Sequence, residues 1–131
     1  MSLVRFGVSI EEELLHDLDN YVLKNKFPNR SQAIRQIIAE LSVKNKISQN
    51  EIVAGVITIS YNHHKSAILQ KINDTQHDYL SVILSSMHFH IDHHQCMEII
   101  AVKGFAYLIQ ELADKLISIK GIDHGNLAFS K

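Results

Sequence analysis

The sequence predicts an α+β chain in which a short strand and two helices precede a larger unit of order βαββαβ. Three observations carry that prediction. Apolar residues recur every second position in residues 4–10, then at helical spacing through two segments, and then alternate between the two periods along the rest of the chain. A polar stretch from Asn45 to Glu51 without apolar periodicity separates the halves. The 131 residues, 46% of them apolar, with one proline and five glycines, suit one globular domain or two small ones. The expected division is a first domain over 1–46, a linker over 47–51 and a second domain over 52–131.

In the first half, Val4, Phe6, Val8 and Ile10 share one face of a strand, while Arg5, Gly7 and Ser9 share the other. Ser9 is the expected N-cap of the first helix. Glu11, Glu12 and Glu13 suit the positive end of a helix dipole, and Leu14, Leu18, Tyr21 and Val22 form its apolar stripe. Lys24-Asn25-Lys26 closes that helix and Phe27-Pro28-Asn29 turns the chain. Asn29 or Ser31 then caps a second helix whose expected buried face is Ala33, Ile34, Ile37, Ile38 and Leu41.

A strand and two helices in about 45 residues bury too little surface to stand alone, so this unit is expected to dimerise, its strand pairing with the partner's copy. That is the ribbon-helix-helix arrangement, in which a two-stranded ribbon enters the major groove of DNA. Arg5 and Ser9 would meet base edges, and Asn29, Arg30 and Ser31 at the second helix start would hold a phosphate with free N–H groups.

In the second half, Ile52 to Tyr61 is strand-like, and His63 to Ile72 is helical with Ile68, Leu69 and Ile72 inward. Leu80 to His90 and Cys96 to Val102 form a hairpin. Phe105 to Ile119 is an amphipathic helix, and Ile122 to Phe129 is a last strand behind Gly121. This order predicts a ferredoxin-like sandwich.

Charge and composition narrow the function classes. The net charge is -1; residues 1–46 carry seven Lys/Arg against six Asp/Glu, and the remainder six against eight. DNA binding is therefore expected from the fold of the first half and not from bulk charge. No apolar run approaches the roughly 20 residues of a membrane span, and no secretory leader is evident. The single cysteine cannot form an internal disulfide, so a reducing, cytoplasmic setting is expected.

The chemistry concentrates in His88-Phe89-His90-Ile91-Asp92-His93-His94-Gln95-Cys96, which holds four of the nine histidines and the one cysteine. Strand alternation sends His88 and His90 to one face, and a returning strand from Cys96 places the thiol across the hairpin. Three such ligands leave one coordination position open. Nitrogen and sulfur donors suit Zn(II) when tetrahedral and Ni(II) or Cu(II) when planar.

Several motifs together resemble the nickel-responsive transcriptional regulators. They are Arg5-Phe-Gly-Val-Ser-Ile10, Asn29-Arg30-Ser31-Gln-Ala-Ile-Arg35, Thr75-Gln76-His77, His88-X-His90 with Cys96-X-Glu98, and Gly121-X-X-His124-Gly125. The match runs through nearly the whole chain in the family's order. The resemblance implies a homotetramer, a dimer of dimers, with ACT-type regulatory domains at the centre and ribbon-helix-helix dimers at the ends. It implies one Ni(II) per subunit, held by His88, His90 and Cys96 and completed by His77 of another subunit, with Glu98 orienting a ligand imidazole. It further implies a palindromic double-stranded operator and a repressor, with no membrane and no small-molecule substrate.

Gly7 stands where relatives commonly carry a hydroxyl residue, which removes one base contact. Gln32 and Gln36 replace acidic side chains associated in some relatives with a cation site. Lys65 matches a position that contacts the DNA backbone, although its neighbour Ser66 lacks a second positive charge. His63 and His64 are candidates for an accessory metal site, and His93 and His94 are expected to be solvated at the hairpin tip. Two other classes remain open on the residues: a metalloenzyme with Glu98 as general base, and a metal store or chaperone.

Overall fold

The computed structural model describes residues 2–130. The elements are α1 (Glu12–Lys24), α2 (Arg30–Ser48), β1 (Ile52–Asn62), α3 (Ser66–His77), β2 (Ile83–His90), β3 (Gln95–Phe105), α4 (Ala106–Ile117) and β4 (Ile122–Phe129). The chain divides into two compact units, Met1–Leu41 and Ser42–Lys131. The terminal residues of both expected domains, Met1 and Lys131, lie outside the described residues.

In the first unit the strand expected over residues 4–10 is not formed: residues 2–11 belong to no helix or strand. A strand exists only through a ladder with a second backbone, and the expected partner is another copy of this chain. Its apolar face consequently lies open, with Val4 83% and Phe6 66% exposed. Ser9 does not cap α1. The N-cap is Glu11, extended and without a side-chain capping bond, and the acidic first turn of Glu12 and Glu13 is left to meet the helix dipole. Leu15, Leu18, Tyr21 and Val22 are half-buried while Leu14 is exposed, and Tyr21 and Phe27 place their ring centroids 5.4 Å apart.

Asn29, and not Ser31, caps α2: its Oδ1 accepts the Gln32 amide at 2.9 Å. Of the expected buried face of α2, Ala33 is buried and Ile34 half-buried, but Ile37, Ile38 and Leu41 are exposed. The stripe has the right spacing and lacks a surface to meet. The helix also continues through Asn45 to Ser48, so the front of the polar stretch is helical. Exposed helix positions require no apolar period, and Ile47 within that stretch packs on the core of the second unit.

The second unit has the expected βαββαβ order. Its four antiparallel strands lie in the order β2-β3-β1-β4, the ferredoxin-like arrangement. Burial alternates along β1 and β3, so one sheet face is apolar and covered. Val53, Ile57, Ile59, Ile100 and Val102 meet Ile68 and Ile72 of α3 and Ile109, Leu112, Ala113 and Leu116 of α4 there. Each fully buried aliphatic side chain contributes about 1.5–3 kcal/mol. Gly121 turns the chain into β4 with φ +106°, and a Cβ there would collide with Ile68. The third helix starts at Ser66 and not at His63, because the Asn62 side chain accepts the His64 amide at 3.0 Å and holds residues 62–65 in a turn.

Candidate metal centre

The β2–β3 ladder aligns the expected ligands by register. His90 pairs with Cys96, and His88 pairs with Glu98 two residues further along. On the other side of β3, Tyr61 of β1 pairs with Cys96 and Ile59 with Glu98. Two-residue alternation therefore brings His88, His90, Cys96, Glu98 and Tyr61 to one face of the sheet, the face that carries α3. Burial grades across this row. Tyr61 is fully covered, Cys96 is 3% and Glu98 1% exposed, while the His88 side chain on the edge strand is 53% exposed.

Glu98 is a charged group in an apolar core, so its partners matter. Gln76, in the last turn of α3, donates from Nε2 to Glu98 Oε2. His88 Nε2 lies 2.9 Å from Glu98 Oε1, within ion-pair distance, but the N–H is not aligned on it, and Oε1 has no hydrogen bond. The Tyr61 hydroxyl lies 3.4 Å from His88 Nδ1. Burial, and then the negative charge of Glu98, push the Tyr61 phenol well above its usual range, so it stays an O–H donor. Gln76 and Tyr61 stand beside the expected site residues Glu98 and His88, and sequence spacing assigned neither a role. Both sit on elements outside the hairpin, and only the packing of α3 and β1 against β3 brings them in.

His77 is the final residue of α3 and is exposed. Among the described residues no three His, Cys, Asp or Glu side chains converge on a point that would hold a metal ion. One chain thus offers Cys96 beside His90 and His88 beside Glu98, with His77 apart from them in sequence on a different element.

The hairpin tip is ordered by Asp92, whose Oδ1 accepts the amides of His94 and Gln95, both at 2.8 Å. Those amides, Gln95 foremost, hold its carboxyl below the usual range. His93 and His94 are exposed, yet the His93 carbonyl accepts Nε2–H from both His63 (2.9 Å) and His64 (2.8 Å). A carbonyl only accepts, so Nε2 is the donor in both contacts. The His63 ring stands edge-on to His90, centroids 4.8 Å apart. His124 on β4 is exposed, opposite Ser60 in the β1–β4 register.

The expected DNA-contacting residues lie on exposed surface. Arg5, Gly7 and Ser9 fall in the extended N-terminal segment. Asn29, Arg30 and Ser31 start α2, and there Arg30 is engaged by Asp19 through two bonds of 2.8 and 3.0 Å. Lys65, in the second unit, is the N-cap of α3 and lines an open depression together with Lys71 and Lys120. Among the described residues no helix is long and apolar enough to cross a membrane.

Comparison with known proteins bears on both units. Residues 54–130 match the family described as the NikR C-terminal nickel binding domain, and residues 4–44 match the ribbon-helix-helix proteins of the copG family. Proteins named as nickel-responsive regulators from Thermococcus kodakarensis and Pyrococcus furiosus are 43% and 45% identical over 131 residues, covering 99% of this chain and 95% of each relative. Another from Syntrophus aciditrophicus is 44% identical over 128 residues, covering 98% of this chain and 93% of its own. A solved structure of an uncharacterised protein from Thermotoga maritima aligns with a TM-score of 0.56 at 18% identity, covering 62% of this chain and all of its own; it shares the fold.

Proposed function

The chain belongs to the nickel-responsive regulator family, and from that premise we propose a cytoplasmic repressor whose operator affinity is set by nickel bound between subunits. The family assignment makes it a nickel-responsive, DNA-binding transcriptional regulator, with a ribbon-helix-helix unit for DNA and a nickel-binding unit behind it. The finer reading is a homotetramer on a palindromic operator, with one nickel per subunit held by His88, His90 and Cys96 and by the partner subunit's His77. No catalytic role is assigned to any of these residues.

One observation carries this reading. The hairpin register sets Cys96 opposite His90 and Glu98 opposite His88, while a single chain assembles no group of three donors among the described residues. The donor set suits a borderline divalent ion, and a buried carboxylate with one oxygen lacking a hydrogen bond suits a site completed by a cation nearby. Nickel bound there supplies a fixed link between donors of different subunits. The chain's own residues supply the rest. Glu98 braces the His88 ring, and Gln76 ties that carboxylate to the last turn of α3, one residue before His77. Occupancy is thereby felt at the end of α3, and such coupling between sites typically amounts to about 1–3 kcal/mol.

The test is a mobility-shift titration on a palindromic promoter fragment, with and without stoichiometric Ni(II), for wild type and Cys96→Ala. Wild type is expected to bind about 5- to 150-fold more tightly with nickel, and Cys96→Ala to show no such gain. Wild-type affinity that ignores nickel would reject the regulator mechanism. Survival of the nickel–thiolate absorption in His77→Ala would reject His77 as the fourth donor.

A further inference from the structure

The first turn of α2 holds residues expected to meet DNA phosphates, and two of its donors are already engaged within the first unit. Asn29 Oδ1 accepts the Gln32 amide at 2.9 Å. Arg30 reaches back to α1, where its Nε donates to Asp19 Oδ1 at 2.8 Å and its Nη2 to Asp19 Oδ2 at 3.0 Å. The Arg30 side chain is 55% and the Asp19 side chain 41% exposed, so the pair is open to solvent and to any duplex that docks there. A guanidinium fork meets a carboxylate and a phosphate by the same geometry, two parallel N–H bonds to two oxygens. Asp19 therefore fills an edge of Arg30 that suits a phosphate equally well.

We propose that Asp19 is a built-in competitor for DNA at Arg30: its carboxylate occupies the Nε–Nη2 edge of the guanidinium in the free protein, and a backbone phosphate must displace it from that edge. The inference rests on the reading of Arg30 as a phosphate contact. Two features set the strength of the competition. Residues 1–46 carry an excess of only one positive charge, so an arginine neutralised by its neighbour is a large share of the attraction this unit has for a phosphate backbone. An ion pair exposed to this degree is also weak, so the contact restrains DNA binding without abolishing it. Binding to a duplex without an operator depends on phosphate contacts and feels the restraint in full. Asp19 thus acts against DNA of the wrong sequence.

The test uses the full-length, metal-free protein and a fluorescent duplex without an operator, which keeps base reading and the nickel response out of the measurement. Anisotropy over a series of salt concentrations gives the affinity of wild type, Asp19→Asn, Arg30→Gln and the double variant. Asp19→Asn is expected to bind about two- to fivefold more tightly. Its salt slope is expected to steepen by about 0.9 for each phosphate gained. The gain is expected to vanish in the double variant. Asp17→Asn removes the same charge from an exposed position of α1 without freeing Arg30, and is expected to gain less. The proposal is overturned if Asp19→Asn binds no more tightly than wild type, if its gain persists in the double variant, or if Asp17→Asn matches it. Arg30→Gln separates the two failures. If it weakens binding while Asp19→Asn does not strengthen it, only the proposal falls; if loss of Arg30 changes binding in neither background, the phosphate reading of Arg30 falls as well. If Asp19→Asn does not fold, as judged by far-UV circular dichroism, the wild type decides. In protein labelled with 15N-arginine the Arg30 Nε–H signal, assigned by its loss in Arg30→Gln, is expected to shift when the duplex is added, and an unmoved signal overturns the proposal.

Discussion

His88 Nε2 and Glu98 Oε1 approach to 2.9 Å across the β2–β3 ladder, one side chain half in solvent and the other sealed in the core. The pair spans the boundary between the sheet interior and the surface at which a metal would arrive. Glu98 accepts from Gln76 at its other oxygen, so the carboxylate joins three elements, β2, β3 and α3. This link ties the core carboxylate to the expected ligand His88 on one side and to the end of α3 on the other.

Removal of the Glu98 charge is therefore expected to weaken nickel binding. In Glu98→Gln the amide keeps the volume but not the anion, and outer-layer partners of this kind typically affect metal affinity by about 10- to 100-fold. Chelator competition checks it, with thermal unfolding run alongside to separate binding from stability. Equal affinity in the variant and wild type would mean that His88 needs no brace.

In the first unit, Asn29→Ala is expected to cost about 1 kcal/mol, because the Gln32 amide loses the oxygen that caps α2. Denaturant unfolding measures this directly. Ser31→Ala serves as the contrast and is expected to cost less than a third of that, since no capping bond from Ser31 is formed. Equal losses would place the cap elsewhere.

The Asp19–Arg30 pair sets an acid limit on the same unit. The Arg30 hydrogen bond, and then its charge, hold the Asp19 carboxyl below its ordinary value of 3.8. A depressed folded value stabilises the fold above the unfolded value, and that contribution is lost as pH falls through the lower folded value. The window lies below about pH 3.8. A carboxyl-detected NMR titration is expected to place the Asp19 midpoint below 3.8 in wild type, and Arg30→Gln to return it upward. An unmoved midpoint would show that the pair is not formed in solution.

Period and spacing revealed much of this molecule. Alternation in Ile52–Tyr61 and Cys96–Val102 and the helical stripe of Ile109, Leu112 and Leu116 are local consequences of one face being buried, so the βαββαβ order is legible without coordinates. His88-X-His90 and Cys96 were legible for a related reason. Strand geometry decides which side chains share a face before any tertiary contact forms, and histidine and cysteine chemistry suggests a metal.

The strand of residues 4–10 and the inward face of α2 were not decided at that level. Val4, Phe6, Ile37 and Ile38 have the right pattern, but a pattern states only which side wants covering, and the surface that covers it must come from elsewhere. Ser9 and the start of α3 failed for a nearer reason. The Asn62 side chain accepts the His64 amide and holds a turn ahead of α3, while α1 starts after an extended Glu11 without a side-chain cap, and apolar spacing encodes neither.

The sequence by itself determined the element order of the second unit, the two-unit character, the expected ligand residue types and the family resemblance, because each depends on local period or on residues within one motif. Only the tertiary structure decided that Cys96 and Glu98 are buried while His88 is open. It also brought Gln76 from α3 and Tyr61 from β1 to the same site. Register between strands far apart in sequence, and the packing of α3 against the sheet, set those distances. Neither is written in the spacing of any one segment.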